Sequence, residues 1–211
     1  MNKLKVALLS EFFILFILLP VSLALPFNIW VKVGMVVLGF IYILIKLKTS
    51  ENINFRIKKN LDWKSLWRRV LVTFLVVAII TTVYVFFQDK DALFYVPLHK
   101  PGLFVSILIV YTLLSVWPQE IIYRTFFFHR YEVLFQNKSL FIFINAIVFS
   151  LAHLFFRNTL VLVLTFIGGI IFGYTYIKYR STTAVSIEHA VYGNWLFTVG
   201  MGQMLAFPGM E

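Results

Sequence analysis

The sequence predicts an all-α, polytopic membrane protein with about seven to eight transmembrane helices and a buried polar site between them. Of its 211 residues, 61% are hydrophobic and only 13% are charged, which leaves more apolar surface than a soluble fold of this length can bury. The apolar residues form stretches of about 20, the length of one helix across a bilayer. Because the chain has no cysteine, disulfides, thiolate metal sites and cysteine nucleophiles are excluded.

The first half of the chain predicts three spanning helices. Two of them cover residues 6–27 and 29–47 and are joined by a tight turn at 26–28. Residues 46–69 carry eight basic side chains interleaved with leucine and aromatic residues, a pattern typical of an amphipathic helix on the cytoplasmic leaflet. A third span follows at 70–87.

The second half predicts four more spans and one partly embedded helix. The fourth span covers 102–117, where Pro118 either kinks it or begins a new helix. Residues 119–135 continue as an amphipathic helix. The remaining spans are predicted at 140–156, 160–177 and 183–205. In the second of these, Gly169-x-x-x-Gly173 predicts close contact with a neighbouring helix.

The basic side chains predict the orientation. Lysine and arginine total 19 against 9 acidic residues, and the hydropathy favours a membrane protein over a nucleic-acid binder. With the N-terminus inside, fifteen of the nineteen basic residues fall on the cytoplasmic side, as the positive-inside rule requires. We predict a multi-pass protein of a bacterial cell membrane, with a cytoplasmic N-terminus, membrane lipids around it and no nucleic-acid partner.

Three places in the apolar spans carry polar or charged side chains. Inserting such a side chain into the middle of the bilayer costs about 2.5 kcal/mol or more. Glu120 and Arg124 stand four residues apart, on one helix face. His153 and His189 lie in two later spans, with Asn194 following the second histidine. Singly, each has an ordinary explanation, such as an ion pair within a helix or a hydrogen bond between helices. Together they favour one polar site in the bundle interior.

This set of side chains supports hydrolysis by activated water. A carboxylate and a histidine can take the proton of a water, while a second histidine and an amide stabilise an oxyanion. Glu120, His153 and His189 also match a hydrolytic zinc pattern, so the residues leave Zn²⁺ or no cofactor as alternatives. The chain lacks the His-Glu-x-x-His motif of zincins and the Gly-x-Ser-Gly motif of rhomboid proteases, so those two classes lose their support.

In these residues the sequence resembles the CPBP family of intramembrane proteases. This family comprises the type II CAAX prenyl endopeptidases and the bacterial Abi proteins, which process bacteriocins or confer self-immunity. Its three motifs, Glu-Glu-x-x-x-Arg, Phe-x-x-x-His and His-x-x-x-Asn, are matched in order by Gln119-Glu120-x-x-x-Arg124, by Phe149-x-x-x-His153 and by His189 with Asn194. The resemblance covers about residues 102–202. Residues 1–101 are then N-terminal transmembrane helices with the basic segment 46–69, residues 102–205 the protease-like core, and 206–211 a tail.

The resemblance implies an α-helical intramembrane endopeptidase, of a family often labelled metalloprotease. It implies that Glu120 is the general base or a metal ligand, and that His153 activates the water or binds the same metal. His189 and Asn194 would stabilise the oxyanion, and Arg124 would orient Glu120. The implied substrate is a membrane-associated peptide or protein, either prenylated or of the bacteriocin type.

Two departures from the family pattern matter. Gln119 replaces the first glutamate, and because an amide cannot accept a proton, either Glu120 takes over as the base or catalysis is lost. Asn194 lies five residues after His189, with Gly193 at the expected place; the extra residue turns the amide ~100° on an ideal helix. An oxyanion role for Asn194 therefore requires a local distortion of the helix, which a glycine at position 193 would permit.

Two alternatives to a peptidase follow from the same residues. A catalytically inactive family member would act as a membrane immunity or partner-binding protein, and Gln119 motivates this hypothesis. A transporter would use the buried charges as a solute path, but the sequence shows no pair of interrupted helices in corresponding halves.

Three other charged residues have structural interpretations. Glu188 points ~100° away from His189, so we expect it to pair with another helix. Arg130, together with His129, is expected to snorkel to the cytoplasmic surface. Glu11 has no basic partner within its own span.

Overall fold

The computed structural model describes residues 3–49 and 60–202, and the regular elements in these ranges are all helical. We number the principal helices in chain order. They are α1 (Lys3–Leu23), α2 (Ile29–Thr49), α3 (Trp63–Gln88), α4 (Tyr95–His99), α5 (Pro101–Leu134), α6 (Lys138–Leu151), α7 (Thr159–Tyr179) and α8 (Thr182–Val199). The predicted all-α class is confirmed.

Within the described ranges, six helical segments are long and apolar enough to cross a membrane. They are α1, α2, α3, α5, α7 and the segment Lys138–Phe156, which contains α6. Their outward faces are strongly apolar, since Leu38, Phe87 and Leu114 are 69%, 80% and 72% exposed. Such surfaces are stable in lipid and unfavourable in water. The predicted polytopic membrane architecture is therefore confirmed.

Helix α8 corresponds to the predicted last span, 183–205, but it is not one of the six apolar segments. Glu188, His189 and Asn194 lower its hydropathy, and it packs against α3, α5 and α7. The helix ends at Val199 with a left-handed Gly200 as its cap (φ 108°), a common way to stop a helix. Residues 203–205 of the predicted span lie outside the described residues.

Helix α5 joins two elements that the sequence predicts separately, the fourth span and the amphipathic segment. It continues through Pro118, which does not begin a new helix. Two π-helical turns, Tyr111–Val116 and Ile121–Phe126, lie on either side of the proline. A π turn contains an extra residue and interrupts the regular bonding pattern. Asn145 of α6 donates a hydrogen bond to the Tyr123 carbonyl oxygen inside the second turn, at 2.6 Å.

The predicted amphipathic segment 46–69 is divided between two spanning helices where it is described. Lys46 and Lys48 lie in the last turn of α2. Asp62 caps α3 by accepting a hydrogen bond from the Ser65 backbone N–H at 3.0 Å, a typical helix start. Residues 50–59 lie outside the described residues.

Helices α6 and α7 pack closely, as the Gly169-x-x-x-Gly173 motif predicts. A Cβ atom added to Gly169 would lie 2.7 Å from Cα of Ala146, closer than two carbon atoms can approach. Only glycine therefore allows this contact between the helices.

Glu11 and Arg130 form an ion pair that the sequence analysis does not predict. The Arg130 Nε and the Glu11 carboxylate are 2.8 Å apart, and the hydroxyls of Tyr42 and Tyr131 donate to the same carboxylate at 2.6 and 3.0 Å. Arg130 thus joins α5 to α1 and remains partly exposed, with 19% of its side chain accessible.

Candidate active site

Glu120 lies at the centre of the predicted site, between the two π turns of α5, and its side chain is fully buried. Its Oε1 accepts a hydrogen bond from Nδ1 of His189 at 2.7 Å. Because a carboxylate only accepts, Nδ1 of His189 carries the proton. Oε2 lies 3.5 Å from Nε of Arg124 and has no hydrogen-bond partner among the described residues. The carboxylate therefore keeps one oxygen free for another proton donor.

Arg124 is fully buried beside Glu120, as expected from their spacing. Its guanidinium lies over the Phe149 ring, 4.4 Å from the centroid, and 5.6 Å from that of Phe172. The positive charge of the guanidinium is thus stabilised by one carboxylate and two aromatic faces. Its N–H groups make no hydrogen bonds to described residues.

His189 is fixed on both sides of its ring. Its Nε2 lies 3.2 Å from the Tyr111 hydroxyl, and the ring stacks on Phe172 with centroids 4.4 Å apart. With Nδ1 bonded to Glu120, both ring nitrogens have partners. The orientation of the imidazole is therefore set by α5 and α7 together.

His153 follows the end of α6, in the turn before the short 3₁₀ helix Leu154–Phe156. Its Nδ1 donates to the Phe149 carbonyl oxygen at 2.8 Å, so Nε2 is the acceptor of the neutral ring. The Phe149 ring contacts His153 and His189 edge-on, at 4.9 and 5.9 Å between centroids. His153 thus joins the site through Phe149, and neither oxygen of Glu120 is hydrogen-bonded to it.

Asn194 lies on the same helix as His189 but faces another partner. Its Nδ2 donates to Oγ1 of Thr112 at 3.1 Å, while its Oδ1 is buried without a partner among the described residues. Helix α8 is a regular α-helix through Gly193. The distortion that an oxyanion role of Asn194 requires is therefore not found at Gly193, and π turns lie in α5 instead.

Gly193 makes room for Tyr111. A Cβ atom added to Gly193 would overlap the Tyr111 hydroxyl and lie 2.5 Å from its Cε1 and Cζ atoms. The tyrosine therefore occupies the space into which a side chain at position 193 would project.

Gln119 turns towards its own helix. Its Nε2 donates to the Ser115 hydroxyl at 2.8 Å, and its Oε1 is buried without a partner in the described part of the chain. Gln119 makes no hydrogen bond with Glu120, His153 or His189. The site is therefore assembled around Glu120, the second residue of the Gln119-Glu120 pair.

Glu188 belongs to a separate polar cluster next to the site. It lies 3.5 Å from Arg69 of α3 and accepts a hydrogen bond from Tyr192 at 3.0 Å. Nε of Arg69 also donates to Thr175 at 2.9 Å. The prediction that Glu188 pairs with another helix is confirmed.

The predicted metal ligands do not form a metal site. Among residues 3–49 and 60–202, no three histidine, aspartate or glutamate side chains are arranged to hold an ion. Of the predicted set, His189 uses Nδ1 for Glu120 and turns Nε2 to Tyr111, so neither nitrogen has an open lone pair facing Glu120 and His153. These donors do not fit a zinc ion.

A shallow apolar groove of about 300 Å³ lies along α5 and borders Asn194 of α8. Leu108, Ile109 and Leu113 line it, together with Thr112 and Asn194. Ile109 and Leu113 are more than half exposed on the lipid-facing surface. The groove is therefore open to the lipid and extends to Asn194, whereas Glu120, His153 and His189 do not line it.

The sequence analysis missed Tyr111, Thr112 and Phe172. Tyr111 and Thr112 form a polar pair in an otherwise apolar stretch, and Gly193 at the family's asparagine position is a second signal. Neither observation identifies their partners, because the partners lie on other helices.

Comparison with known proteins supports the resemblance. Residues 101–196 match the family model described as Rce1-like, type II CAAX prenyl endopeptidase. The match spans a little under half of the chain and contains Glu120, Arg124, His153, His189 and Asn194. No curated protein and no solved structure matches the chain.

Proposed function

The resemblance to the type II CAAX prenyl endopeptidases is confirmed over residues 101–196, and from this we propose that the protein is an intramembrane endopeptidase that activates water with a glutamate and histidine. The observation that carries the proposal is the buried carboxylate of Glu120, bonded to Nδ1 of His189 and with Oε2 free. A general base needs an open acceptor atom that is held in place by its neighbours.

Glu120 Oε2 would take the proton of the attacking water. Hydrogen bonding to His189 fixes Oε1, and the charge of Arg124 holds Oε2 at 3.5 Å. The oxygen of the water then bonds to the scissile carbonyl carbon, and the carbonyl oxygen becomes an oxyanion. When the C–N bond breaks, the leaving amine takes the proton back from Glu120, so the enzyme returns to its starting state.

His153 is assigned to the same water, whereas His189 supports the base, because its one N–H group is bonded to Glu120 and is not available to the oxyanion. Nε2 of His153 is a free acceptor because Nδ1 is bonded to the Phe149 carbonyl. The Asn194 amide is bonded to Thr112 and borders the groove in α5. No step passes through a metal, since the described side chains do not form a metal site.

The groove supports a membrane-associated peptide or protein as the substrate. Its apolar lining suits a prenyl chain or a hydrophobic peptide segment arriving from the lipid. Both substrate types implied by the resemblance, prenylated proteins and bacteriocin-type peptides, meet this requirement.

The test is cleavage of quenched fluorescent peptides by the purified protein in liposomes. One peptide ends in a farnesylated Cys-a-a-X sequence, and a second carries the same sequence without the lipid. We expect Glu120→Gln to lower kcat/KM by at least about 10²-fold, the typical share of a general base. Glu188→Gln removes a neighbouring buried carboxylate outside the site and serves as the matched control. Equal cleavage by the wild type and Glu120→Gln would contradict the proposal.

A second candidate function is an inactive family member that binds a membrane partner, for example in immunity. Gln119 favours it, because the family's first carboxylate is absent and the amide is bonded to Ser115. In that case Glu120→Gln would leave partner capture or protection of producing cells unchanged. Loss of protection in this variant, with normal expression, would argue for the peptidase.

A further inference from the structure

We propose that Tyr111 takes the place of the family's asparagine as the hydrogen-bond donor to the oxyanion. This inference rests on the proposed peptidase function and names a further catalytic residue for it. Three observations carry it: the space at Gly193, the contact between Tyr111 and His189, and the direction of the Asn194 side chain.

The first observation is the overlap between Tyr111 and a side chain at position 193. Four residues after His189, where the family motif has asparagine, the chain has Gly193. The three atoms nearest to an added Cβ there all belong to Tyr111 and include its hydroxyl. The phenol therefore brings a polar atom from α5 into the space that the asparagine amide would approach from α8.

The second observation is that the Tyr111 hydroxyl contacts His189, the partner of Glu120. It lies 3.2 Å from Nε2 of His189, whose Nδ1 is bonded to Glu120. In the neutral ring Nε2 accepts, so the tyrosine is the donor. A developing oxyanion is a stronger acceptor than an imidazole nitrogen, and it would replace Nε2 as the acceptor of this proton.

The third observation is that Asn194 turns away from His189. On the regular helix α8 it lies ~100° from position 193, and its amide is bonded to Thr112. Tyr111 and Thr112 are adjacent in the first π turn of α5, so one turn contacts both His189 and Asn194. The asparagine thus holds α5 and α8 together, while the tyrosine supplies the donor.

The ring of Tyr111 is fixed by its neighbours, as an oxyanion donor requires. It packs edge-on against Phe197 and His189, with centroids 5.0 and 6.1 Å apart. A donor that is already oriented needs no rearrangement when the charge develops. A tyrosine hydroxyl performs this role in other oxyanion holes.

The first experiment removes only the hydroxyl. We expect Tyr111→Phe to lower kcat by about 10²- to 10³-fold with little change in KM, as for the loss of one oxyanion donor. Tyr192→Phe is the matched control, because its hydroxyl is also buried but contacts Glu188 and the Val70 carbonyl. Wild-type kcat in Tyr111→Phe would overturn the proposal. Thermal unfolding in detergent shows whether each variant is folded.

The second experiment restores the family pattern. Tyr111→Ala empties the space, and Gly193→Asn then places an amide four residues after His189. We expect kcat of the double variant to be at least about tenfold higher than that of Tyr111→Ala alone. This is a part of the roughly 10²- to 10³-fold that one oxyanion donor contributes to kcat. A folded double variant that is no more active than Tyr111→Ala would contradict the replacement of one donor by the other.

A spectroscopic readout separates this inference from the proposed function. The chain has four histidines, so the ¹⁵N signals of their rings can be assigned. Tyr111→Phe is expected to shift the Nε2 signal of His189, and Tyr192→Phe is not. If Glu120→Gln abolishes cleavage while Tyr111→Phe does not, the inference fails and the peptidase stands. If wild type and Glu120→Gln are equally inactive, the peptidase fails and the inferred role with it.

Discussion

Arg124 compensates the buried negative charge of Glu120. Its guanidinium and the Glu120 carboxylate are both fully buried and 3.5 Å apart, with aromatic faces of Phe149 and Phe172 on the other side. The remaining N–H groups have no hydrogen-bond partner in the described chain. Since unbonded donors are costly inside a protein, this arrangement is consistent with a position that receives polar atoms from a substrate.

Replacing Arg124 tests its electrostatic role. Arg124→Met would leave Glu120 as an uncompensated buried charge, which costs about 3–5 kcal/mol when one partner of such a pair is removed. We expect a clearly lower Tm in detergent. Adding Glu120→Gln removes the unpaired charge and is expected to recover part of the loss. A Tm for Arg124→Met equal to that of the wild type would show that the pair does not stabilise the fold.

Helix α5 positions the site because its π turns change the direction of its side chains. The two turns lie on either side of Pro118 and Glu120. The first of them allows Tyr111 and Glu120 of one helix to contact opposite nitrogens of His189. A regular helix places residues nine apart about 180° from each other, so the first π turn, Tyr111–Val116, is required for this double contact.

The helix pair α6 and α7 offers a test of packing at the element scale. Gly169→Ala would place a Cβ 2.7 Å from Cα of Ala146, so the helices must separate. We expect a cost of about 1–3 kcal/mol, as for other overpacked positions, and a lower Tm. Gly34→Ala is the matched control, because nothing lies within 4 Å of an added Cβ there. Equal Tm values for the two variants would contradict the close contact.

At the scale of the whole molecule, the N-terminal helices support the family-like half of the chain. Residues 101–196 contain the candidate site residues, and α1 is joined to this half through the pair of Glu11 and Arg130. Helix α3 is joined to it through the pair of Arg69 and Glu188. Phe16 of α1 also packs against the rings of Tyr123 and Phe126. The first three helices are therefore part of one folded bundle with the candidate site.

The predicted orientation is open to a direct test, because the chain has no cysteine. A single cysteine at Lys64 or Lys178 would lie on the cytoplasmic side, and one at Lys32 or Lys100 on the outer side. In intact cells, a membrane-impermeant maleimide should label only the outer pair. Labelling of the Lys64→Cys and Lys178→Cys variants instead would reverse the topology.

The sequence by itself determined the helical membrane class and the approximate positions of most spans, and it predicted part of the polar set of the candidate site. Hydropathy is a local property that each segment carries independently, so these features follow from composition and spacing. The close contact of α6 with α7 can also be predicted from sequence, because the spacing of Gly169 and Gly173 is a property of one short segment.

Only the tertiary structure decided which polar groups meet. It bonded Glu120 to His189, paired Glu11 with Arg130 and placed Tyr111 against Gly193. Such partners depend on how each helix is rotated and how far it is shifted along its neighbours. In α5, the rotation of the side chains is set by two π turns and by the continuation of the helix through Pro118. The positions of these π turns follow from packing between helices, which no single segment of sequence encodes.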